Sequence, residues 1–520
     1  MSLFRKIIYT CFVVYGMYAI PFSGPVLVKT IDITDAGTGK RMLLGDVTGD
    51  GRLEMIMMQP DKMADDRYIG HEVNCLTVYD CEGNLLWQIG DPSRGSSAGS
   101  DIPAQVYDID QDGFNEVLAC MNGKLRILDG RTGKEKSSFY YPNNNAHDCI
   151  IIANLTGTEK PQDIILKDRY EQIWAMDRYG KQLWTYKGNT GHYPWPFDFD
   201  NDGRDEIICG FDFLTPDGKR LWSMNQSGHA DCIWVGDIDL DPSNGTEIAV
   251  GGDDVTVYHQ NGELMWRNDQ PVEPQNIAIG DFIKDQPGLE IGGQDRVNRG
   301  TPGEEAIFVI SSTGETTYYK KRSGWGSIAY MCHNWNGEGS DYLMIWRGPD
   351  KPSLYDGLVE KVCSFNEGYM MAGDINGDGK DEIITFTETR AFIYSESSID
   401  LTKVSEECPA PRPQQKRHYL FTRYWGGEYV KNNFVQAEEN LYRTVKPEIQ
   451  PAKNEFVALL CGKQTVSIPG FKPGNKVSIT VYSLAGKMLN KTITRKNRIS
   501  LKQDFALIPM GTYFVKMKPE

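Results

Sequence analysis

Short apolar runs alternate with polar turns along most of the chain, and their period predicts strands rather than helices. Runs such as "DCIWVG", "EIAVGG" and "YMMAG" are rich in β-branched and aromatic residues and are bounded by turn residues. Hairpins with glycine-containing turns lie between them, as in "LTVYDCEGNLLWQI" and "VTVYHQNGELMWRN". The pattern predicts an all-β fold.

An acidic motif recurs between these strands along most of the chain. The four full copies are "GDVTGDGRLEMI", "YDIDQDGFNEVL", "FDFDNDGRDEII" and "GDINGDGKDEII", which start at Asp46, Asp108, Asp198 and Asp374. Weaker copies start at Asn154, Asp237, Asp281 and Asn334. Eight copies spaced by about 47 residues match the period of four-stranded propeller blades. We therefore predict an eight-bladed β-propeller over residues 25–398, and we expect the spare strand in "GPVLVKTIDI" to close the ring.

The spacing of the full copies suits calcium, because a tight loop can bring several carboxylate oxygens onto one hard cation. The predicted ligands, from the first, third, fifth and ninth loop positions, are Asp46, Thr48, Asp50, Glu54, Asp108, Asp110, Asp112, Glu116, Asp198, Asp200, Asp202, Glu206, Asp374, Asn376, Asp378 and Glu382. Calcium-free Asx turns are the alternative, and they are our expectation for the weaker copies. Any bound calcium is expected to be structural rather than catalytic.

The two ends of the chain differ from this pattern. Residues 1–24 have the layout of a secretory signal, with a retained membrane anchor as the alternative. Residues 399–453 are predicted to be a linker or extension, and residues 454–520 a small C-terminal β-sandwich. The cysteines show no paired spacing, so neither a disulfide framework nor a zinc site is predicted. The net charge of -16 argues against nucleic acid as a partner. We expect a monomer.

The repeats resemble the calcium-binding propeller of FG-GAP type, and one segment resembles a narrower family. Between Gly191 and Val250, "GHYPWPFDFDNDGRDEIICG", "PDGKRLWS" and "SGHADCIWVGDIDLDPSNGTEIAV" are similar to the paired blades of rhamnogalacturonan lyases of polysaccharide lyase family 11. That resemblance implies a secreted, calcium-dependent enzyme that cleaves a pectic, acidic plant-type polysaccharide by β-elimination. A non-catalytic propeller that binds glycan or protein at the cell surface is the alternative.

The C-terminal motifs "VYSLAGK" and "GTYFVKM" resemble the sorting domain of type IX secretion substrates. This resemblance implies contact with secretion or surface-anchoring machinery, and a location outside a Gram-negative bacterium or on its outer surface. A carbohydrate-binding or spacer sandwich is the alternative.

Candidate catalytic residues gather at equivalent blade positions. His147, His192 and His229 each precede a first strand, so we expect them on the face opposite the acidic loops, together with His71. The same face should carry Lys167, Tyr170, Arg296 and Arg299. A lyase needs a cation to neutralise the uronate carboxylate and a base to remove the α-proton. Arg296, Arg299 and Lys167 are the candidate clamps, and one of the three histidines or Tyr170 is the candidate base.

The same face also offers candidate substrate contacts, namely Tyr193, Trp195, Asp231, Asp253, Trp325 and Trp346. Flat aromatic rings beside polar groups suit sugars. A calcium ion held by exposed residues such as Asp253 is an alternative clamp. Glycoside hydrolysis by a pair drawn from Asp231, Asp253 and Asp254 is an alternative reaction.

Overall fold

The computed structural model describes residues 24–61, 70–94, 102–228, 230–241, 243–284, 286–297, 305–322, 328–346 and 350–403, and isolated strands beyond residue 403. The predicted signal segment therefore lies outside the described residues, apart from Gly24. Within the described part, no helix has the length and apolar character needed to cross a membrane.

Residues 26–395 form eight four-stranded antiparallel sheets, the blades of a β-propeller. Blades 1 to 4 comprise β2–β5 (Arg41–Gly45, Glu54–Pro60, Val73–Tyr79, Leu85–Gly90), β6–β9 (Ala104–Tyr107, Glu116–Met121, Lys124–Asp129, Glu135–Tyr140), β10–β13 (Cys149–Ala153, Asp163–Lys167, Gln172–Met176, Gln182–Lys187) and β14–β17 (Trp195–Phe197, Glu206–Cys209, Asp212–Leu214, Arg220–Ser223).

Blades 5 to 7 comprise β18–β21 (Cys232–Gly236, Glu247–Gly251, Val255–His259, Leu264–Asn268), β22–β25 (Asn276–Gly280, Glu290–Asp295, Glu305–Ile310, Thr316–Arg322) and β26–β29 (Ile328–His333, Asp341–Trp346, Ser353–Tyr355, Lys361–Ser364). Blade 8 contains β30–β32 (Tyr369–Gly373, Glu382–Phe386, Arg390–Ser395) and β1 (Val26–Asp32). Two short 3₁₀ turns, Thr34–Ala36 and Pro92–Arg94, flank blade 1.

The N-terminal strand closes the ring, as its position before the first acidic motif predicted. Strand β1 pairs antiparallel with β32, with Thr30 opposite Phe392 and Asp32 opposite Arg390. The strand that precedes blade 1 and the last blade are thereby joined by backbone hydrogen bonds, and β1 supplies the fourth strand of blade 8.

The first and second strands of the blades are almost entirely buried, whereas the fourth strands are largely exposed. Strands β10 and β11 are buried at every position, and the fourth strand of the same blade, β13, is not. Inner strands are covered on both faces by neighbouring blades, so they appear in the sequence as continuous apolar runs. The core consequently lies between blades, and the loops at strand ends are left to carry polar groups.

A repeated aromatic contact joins each of the first five blades to the next one. An aromatic residue of the fourth strand packs on the turn glycine of the following blade, in the pairs Trp87–Gly133, Phe139–Gly180, Trp184–Gly218, Trp222–Gly262 and Trp266–Gly314. Three of the tryptophans also donate a hydrogen bond from Nε1 across the interface, and for Trp184 the acceptor is the Pro216 carbonyl at 2.8 Å. At the ring closure, Ile31 of β1 packs against the corresponding Gly83.

Beyond the propeller the structure describes strands but not their side chains. Strands β33 (Phe421–Arg423) and β34 (Gly426–Glu428) form a hairpin. Strands β35 (Phe456–Cys461), β40 (Thr512–Pro519), β37 (Val477–Tyr482) and β38 (Met488–Thr494) form one sheet, and β36 (Thr465–Ser467) pairs with β39 (Arg498–Ser500). Whether two sheets pack face to face as the predicted sandwich depends on residues outside the described part.

Candidate functional site

The acidic loops connect the first and second strands on one face of the propeller, here called the lower face. In each full loop, the first carboxylate accepts hydrogen bonds from backbone N–H groups later in the same turn. Asp198 accepts hydrogen bonds from the backbone N–H groups of Asp202 (3.0 Å) and Gly203 (2.9 Å), and Asp374 does the same for Asp378 and Gly379. The glycine has a positive φ, +89° at Gly203, which it adopts without the steric cost that other residues have.

A carboxylate at the start of the second strand, which is the ninth loop position in the full copies, stabilises the loop in seven blades. It is buried and accepts the backbone N–H of the residue that follows the first ligand, as for Glu206 and Phe199 at 3.0 Å. The seven residues are Glu54, Glu116, Asp163, Glu206, Glu247, Glu290 and Glu382. Burial raises the pKa of Glu206 to about 7 and that of Glu54 to about 8. This stabilising role was not predicted from the sequence.

Within the part of the chain that the structure describes, three loops bring carboxylates together closely enough to share a cation. Oxygens within 4.8 Å of one another come from Asp108, Asp110 and Glu116, from Asp198, Asp200 and Glu206, and from Asp237, Asp239 and Glu247. Such convergent oxygen donors fit calcium. The third set lies in a weaker copy, for which we expected a calcium-free turn. The first and last full loops have Thr48 and Asn376 at the third position, so they offer fewer carboxylates.

Basic side chains already pair with carboxylates of two of the full loops. In blade 2, the Lys136 ammonium lies 2.5 Å from Asp110 Oδ2, 2.9 Å from Asp112 Oδ2 and 2.8 Å from Glu116 Oε1. In blade 1, Arg52 lies 2.6 Å from Asp50 Oδ2. Cation binding at these two loops would therefore have to compete with the protein's own charges.

The opposite, upper face carries a buried ion triad at the start of blade 3. Asp148 lies directly before β10, and its two carboxylate oxygens each lie 3.1 Å from a cation, Lys167 Nζ and Arg169 Nη1. The side chains of Asp148 and Lys167 are completely buried. Although burial opposes ionisation of Asp148, the charges of Arg169 and Lys167 outweigh it and lower the pKa of the carboxyl. Asp148 was not among the residues predicted from the sequence; its signal is a charged residue immediately before an apolar strand.

The predicted clamp Lys167 is therefore placed differently from our expectation. Its ammonium donates to the carbonyls of Asp168 (2.6 Å) and Arg169 as well as to Asp148. With no exposed surface and three acceptors, Lys167 does not present its charge to a substrate carboxylate. It stabilises the turn that follows β11.

Tyr170, on that turn, meets His192 of blade 4. The two ring centroids are 5.4 Å apart in an edge-on arrangement, and His192 Nε2 lies 3.1 Å from Asp231 Oδ1 in blade 5. His192 and Asp231 are buried, whereas Tyr170 is half-buried. The Lys167 ammonium and the Arg169 guanidinium lie 5.5 and 5.2 Å from the Tyr170 ring centroid. Three predicted site residues, Tyr170, His192 and Asp231, are thus brought together.

The other upper-face histidines within the described residues have structural contacts. His147 stacks on Tyr141 at 5.4 Å, and its Nε2 lies 3.1 Å from the Gly70 carbonyl. His71 Nδ1 lies 2.8 Å from Asp61 Oδ1. Both histidines are buried. His147 lies on the expected face, but it contacts the blade 1 loop rather than solvent.

The aromatic residues predicted to stack on sugar rings lie in the core instead. Tyr193 is buried and its hydroxyl accepts the backbone N–H of Ile233 at 2.9 Å. Trp195 packs on Trp234 between blades, and Trp346 is also buried. The sequence could not distinguish these positions from surface ones, because strand starts and strand interiors share the same residue types.

The remaining predicted upper-face residues are distributed over blades 5 and 6. Asp253 is exposed, and Asp254 is buried in an ion pair with Arg267. Arg296 lies 3.8 Å from Glu273 and retains about a quarter of its side-chain exposure. Of the three carboxylates that the sequence offered for glycoside hydrolysis, Asp231 therefore lies beside His192, Asp254 pairs with Arg267 and Asp253 is exposed. His229, Arg299 and Trp325 lie outside the described residues.

Comparison with known proteins gives relatives of one kind. The chain is 26% identical over 443 residues to the rhamnogalacturonan exolyase YesX of Bacillus subtilis (strain 168), covering 69% of this chain and 71% of YesX. It is 25% identical over 256 residues to the rhamnogalacturonan endolyase YesW of the same organism, covering 38% of this chain and 41% of YesW. No family model matches the chain.

The structural comparison agrees with the sequence comparison at the level of the fold. The rhamnogalacturonan lyase PL11 of Bacillus licheniformis superposes with a TM-score of 0.54 at 19% identity, covering 78% of this chain and 84% of that one. The eight-bladed propeller and the resemblance to rhamnogalacturonan lyases predicted from the sequence are confirmed.

Proposed function

We propose that this rhamnogalacturonan lyase-like protein is a secreted, calcium-dependent polysaccharide lyase that cleaves a rhamnogalacturonan-like pectic glycan by β-elimination. The observation that carries the proposal is the similarity to YesX, because it extends over 443 residues rather than over an isolated motif. The upper-face cluster of Tyr170, His192 and Asp231 supports it with acid–base groups in mutual contact.

In the proposed reaction a base takes the proton from the carbon next to the uronate carboxylate. The electron pair forms a carbon–carbon double bond, and the glycosidic oxygen on the neighbouring carbon leaves with its electrons and then gains a proton. We take Tyr170, as its phenolate, as the base, because its side chain is partly exposed while His192 is buried against Asp231. The positive charges of Lys167 and Arg169 lie beside the ring, where they would favour the ionised phenolate, which takes the proton and becomes the neutral phenol.

The uronate carboxylate needs a second charge partner at the upper face. Arg296 retains exposure beside Glu273, and it is the one predicted arginine clamp within the described residues. Asp253, which is exposed, could instead hold a cation that neutralises the carboxylate.

Calcium is proposed as a structural ion of the lower-face loops, where three sets of carboxylates converge. Secretion is proposed from the N-terminal apolar segment. Export to the outside or outer surface of a Gram-negative bacterium, by machinery that recognises residues 454–520, is proposed from the sorting-domain motifs.

Ultraviolet spectroscopy tests the reaction class directly. Elimination leaves a double bond conjugated to the carboxylate, so absorbance should rise as the calcium-loaded protein cuts rhamnogalacturonan. New reducing ends without that chromophore would indicate a hydrolase. Folded, calcium-loaded protein that is silent on rhamnogalacturonan and on other uronate polymers would contradict the proposal and leave the non-catalytic binder.

A further inference from the structure

The Asp148 triad joins two segments that carry the candidate acid–base groups. Lys167, bound to Asp148, donates to the carbonyls of Asp168 and Arg169, and so closes the turn that leads to Tyr170. Asp168 Oδ1 then accepts the backbone N–H groups of Glu171 (2.7 Å) and Gln172 (2.8 Å). The turn therefore depends on charge–dipole contacts that begin at Asp148.

The same turn is tied to the segment before His192. The backbone N–H of Thr190 donates to the Tyr170 carbonyl at 2.9 Å. Blade 3 and blade 4 are thus connected beside the point where the Tyr170 ring meets His192. A displacement of the turn would move both partners of this contact.

The triad has little room to rearrange. A Cβ atom on Gly70 would lie 2.6 Å from Asp148 Cα and 2.7 Å from its Oδ1, so the blade 1 loop packs directly on the carboxylate. Removing the anion would leave Lys167 and Arg169 without their buried counter-charge, which is strongly unfavourable. The two cations would then have to move toward solvent, and the turn with them.

We propose that Asp148 is a positioning residue, which holds Tyr170 against His192 through Lys167 and Arg169. This inference rests on the proposed function for its catalytic consequence, but not for its structural one. A displacement of a reacting group by about 1 Å can reduce turnover about 100-fold. The fall should appear in kcat, with KM changed only a few-fold, because Asp148 is buried and does not touch the substrate.

The chain contains a matched control for the loss of a buried carboxylate. Asp163 lies at the other end of β11 from Lys167, is buried like Asp148, and accepts the backbone N–H groups of Leu155 (2.9 Å) and Thr156 (2.8 Å) on the lower face. Asp148→Asn and Asp163→Asn make the same chemical change in the same blade on opposite faces.

Hydrogen–deuterium exchange of the full chain tests the positioning without substrate. Asp148→Asn should raise exchange of the amides at 168–172 and 188–190, whereas Asp163→Asn should raise it at 155 and 156. Turnover of rhamnogalacturonan should fall about 100-fold for Asp148→Asn and stay within a few-fold of wild type for Asp163→Asn. If Asp148→Asn does not fold, the same measurements are made on Asp148→Asn combined with Lys167→Met, which removes the unpaired buried cation.

If Asp148→Asn leaves amide exchange at 168–172 and 188–190 unchanged, the proposal is overturned, whatever the activity of the variant. Raised exchange with wild-type kcat overturns the catalytic consequence. A wild-type protein with no lyase activity contradicts the proposed function instead, and the exchange result then decides by itself whether Asp148 holds the turn.

Discussion

The phenol of Tyr170 and the carboxylate of Glu290 illustrate two kinds of titratable residue in this propeller. Tyr170 is half-buried on the upper face and belongs to a network of charged partners. Glu290 is buried on the lower face, where its partners are the backbone N–H groups of Phe282 and Ile283. We propose a role in substrate chemistry for the first, whereas the second stabilises a loop.

Replacing Tyr170 by Phe keeps the ring against His192 and removes only the hydroxyl. If Tyr170 takes the substrate proton, kcat should fall about 100-fold or more while KM changes little. Steady-state absorbance assays measure the effect. Tyr179→Phe is the control, because Tyr179 lies in the same blade and is 73% exposed at a turn away from the site. A kcat for Tyr170→Phe equal to that of Tyr179→Phe would assign the base to another residue.

The raised pKa of Glu290 predicts how the free energy of unfolding depends on pH. Burial raises its pKa from 4.5 to about 7 in the folded state. The folded protein therefore binds this proton more tightly than the unfolded chain, so the contribution of Glu290 to the free energy of unfolding is greatest below pH 4.5 and declines as pH rises toward 7. After solvent screening the change is on the order of 1 kcal/mol.

Glu290→Gln should remove this part of the pH dependence, since the amide still accepts hydrogen bonds but does not titrate. Urea unfolding of wild type and variant between pH 4.5 and 8 compares the two slopes. If the free energy of unfolding changes with pH in parallel for wild type and Glu290→Gln across that interval, the prediction is contradicted.

At the scale of elements, the stability of the ring depends on contacts between neighbouring blades. The fourth-strand aromatic residue and the next blade's turn glycine meet five times in succession. Trp184 is representative, with its ring on Gly218 and its Nε1 bonded to Pro216. This contact explains why the hairpin turns contain glycine where the turn type alone would admit asparagine.

Gly218→Ala should therefore destabilise the protein by more than the cost of placing an alanine at a positive φ. A Cβ there would lie 2.5 Å from Trp184 ring atoms, and φ is +75°. Gly123→Ala isolates the conformational cost, because Gly123 has φ +76° with nothing within 4 Å. We expect Gly123→Ala to cost about 1 kcal/mol and Gly218→Ala about 1–3 kcal/mol more. Equal unfolding midpoints in urea would show that the ring contact contributes little.

At the scale of the whole molecule, calcium bound at the loops should stabilise the closed ring against thermal unfolding. An ion that binds only the folded state stabilises it by mass action. Chelation should therefore lower the thermal midpoint, and Asp200→Asn should reduce the difference between calcium-loaded and chelated protein. Asp217→Asn serves as control, because Asp217 is an exposed residue of the same blade that pairs with Arg204. Identical midpoints with and without chelator, and no calcium in the purified protein by metal analysis, would contradict a structural ion.

The sequence by itself determined the architecture. Eight acidic motifs, about 47 residues apart on average and each between apolar runs, predicted the number of blades. The position of the spare N-terminal strand predicted the closure by β1. These features are local or periodic, so they can be recognised without knowing which distant residues meet. The resemblance to rhamnogalacturonan lyases likewise rested on a continuous segment.

Only the tertiary structure decided which predicted site residues are exposed and which are buried. Tyr193, Trp195, His147 and Lys167 have residue types that suit a site, but adjacent blades and loops cover them. The sequence also did not reveal that Asp148 pairs with two cations, because the energy of a buried charge depends on partners brought close by folding. Periodicity specifies where strands begin and end, whereas exposure and charge pairing arise from how neighbouring blades and their loops close over those ends.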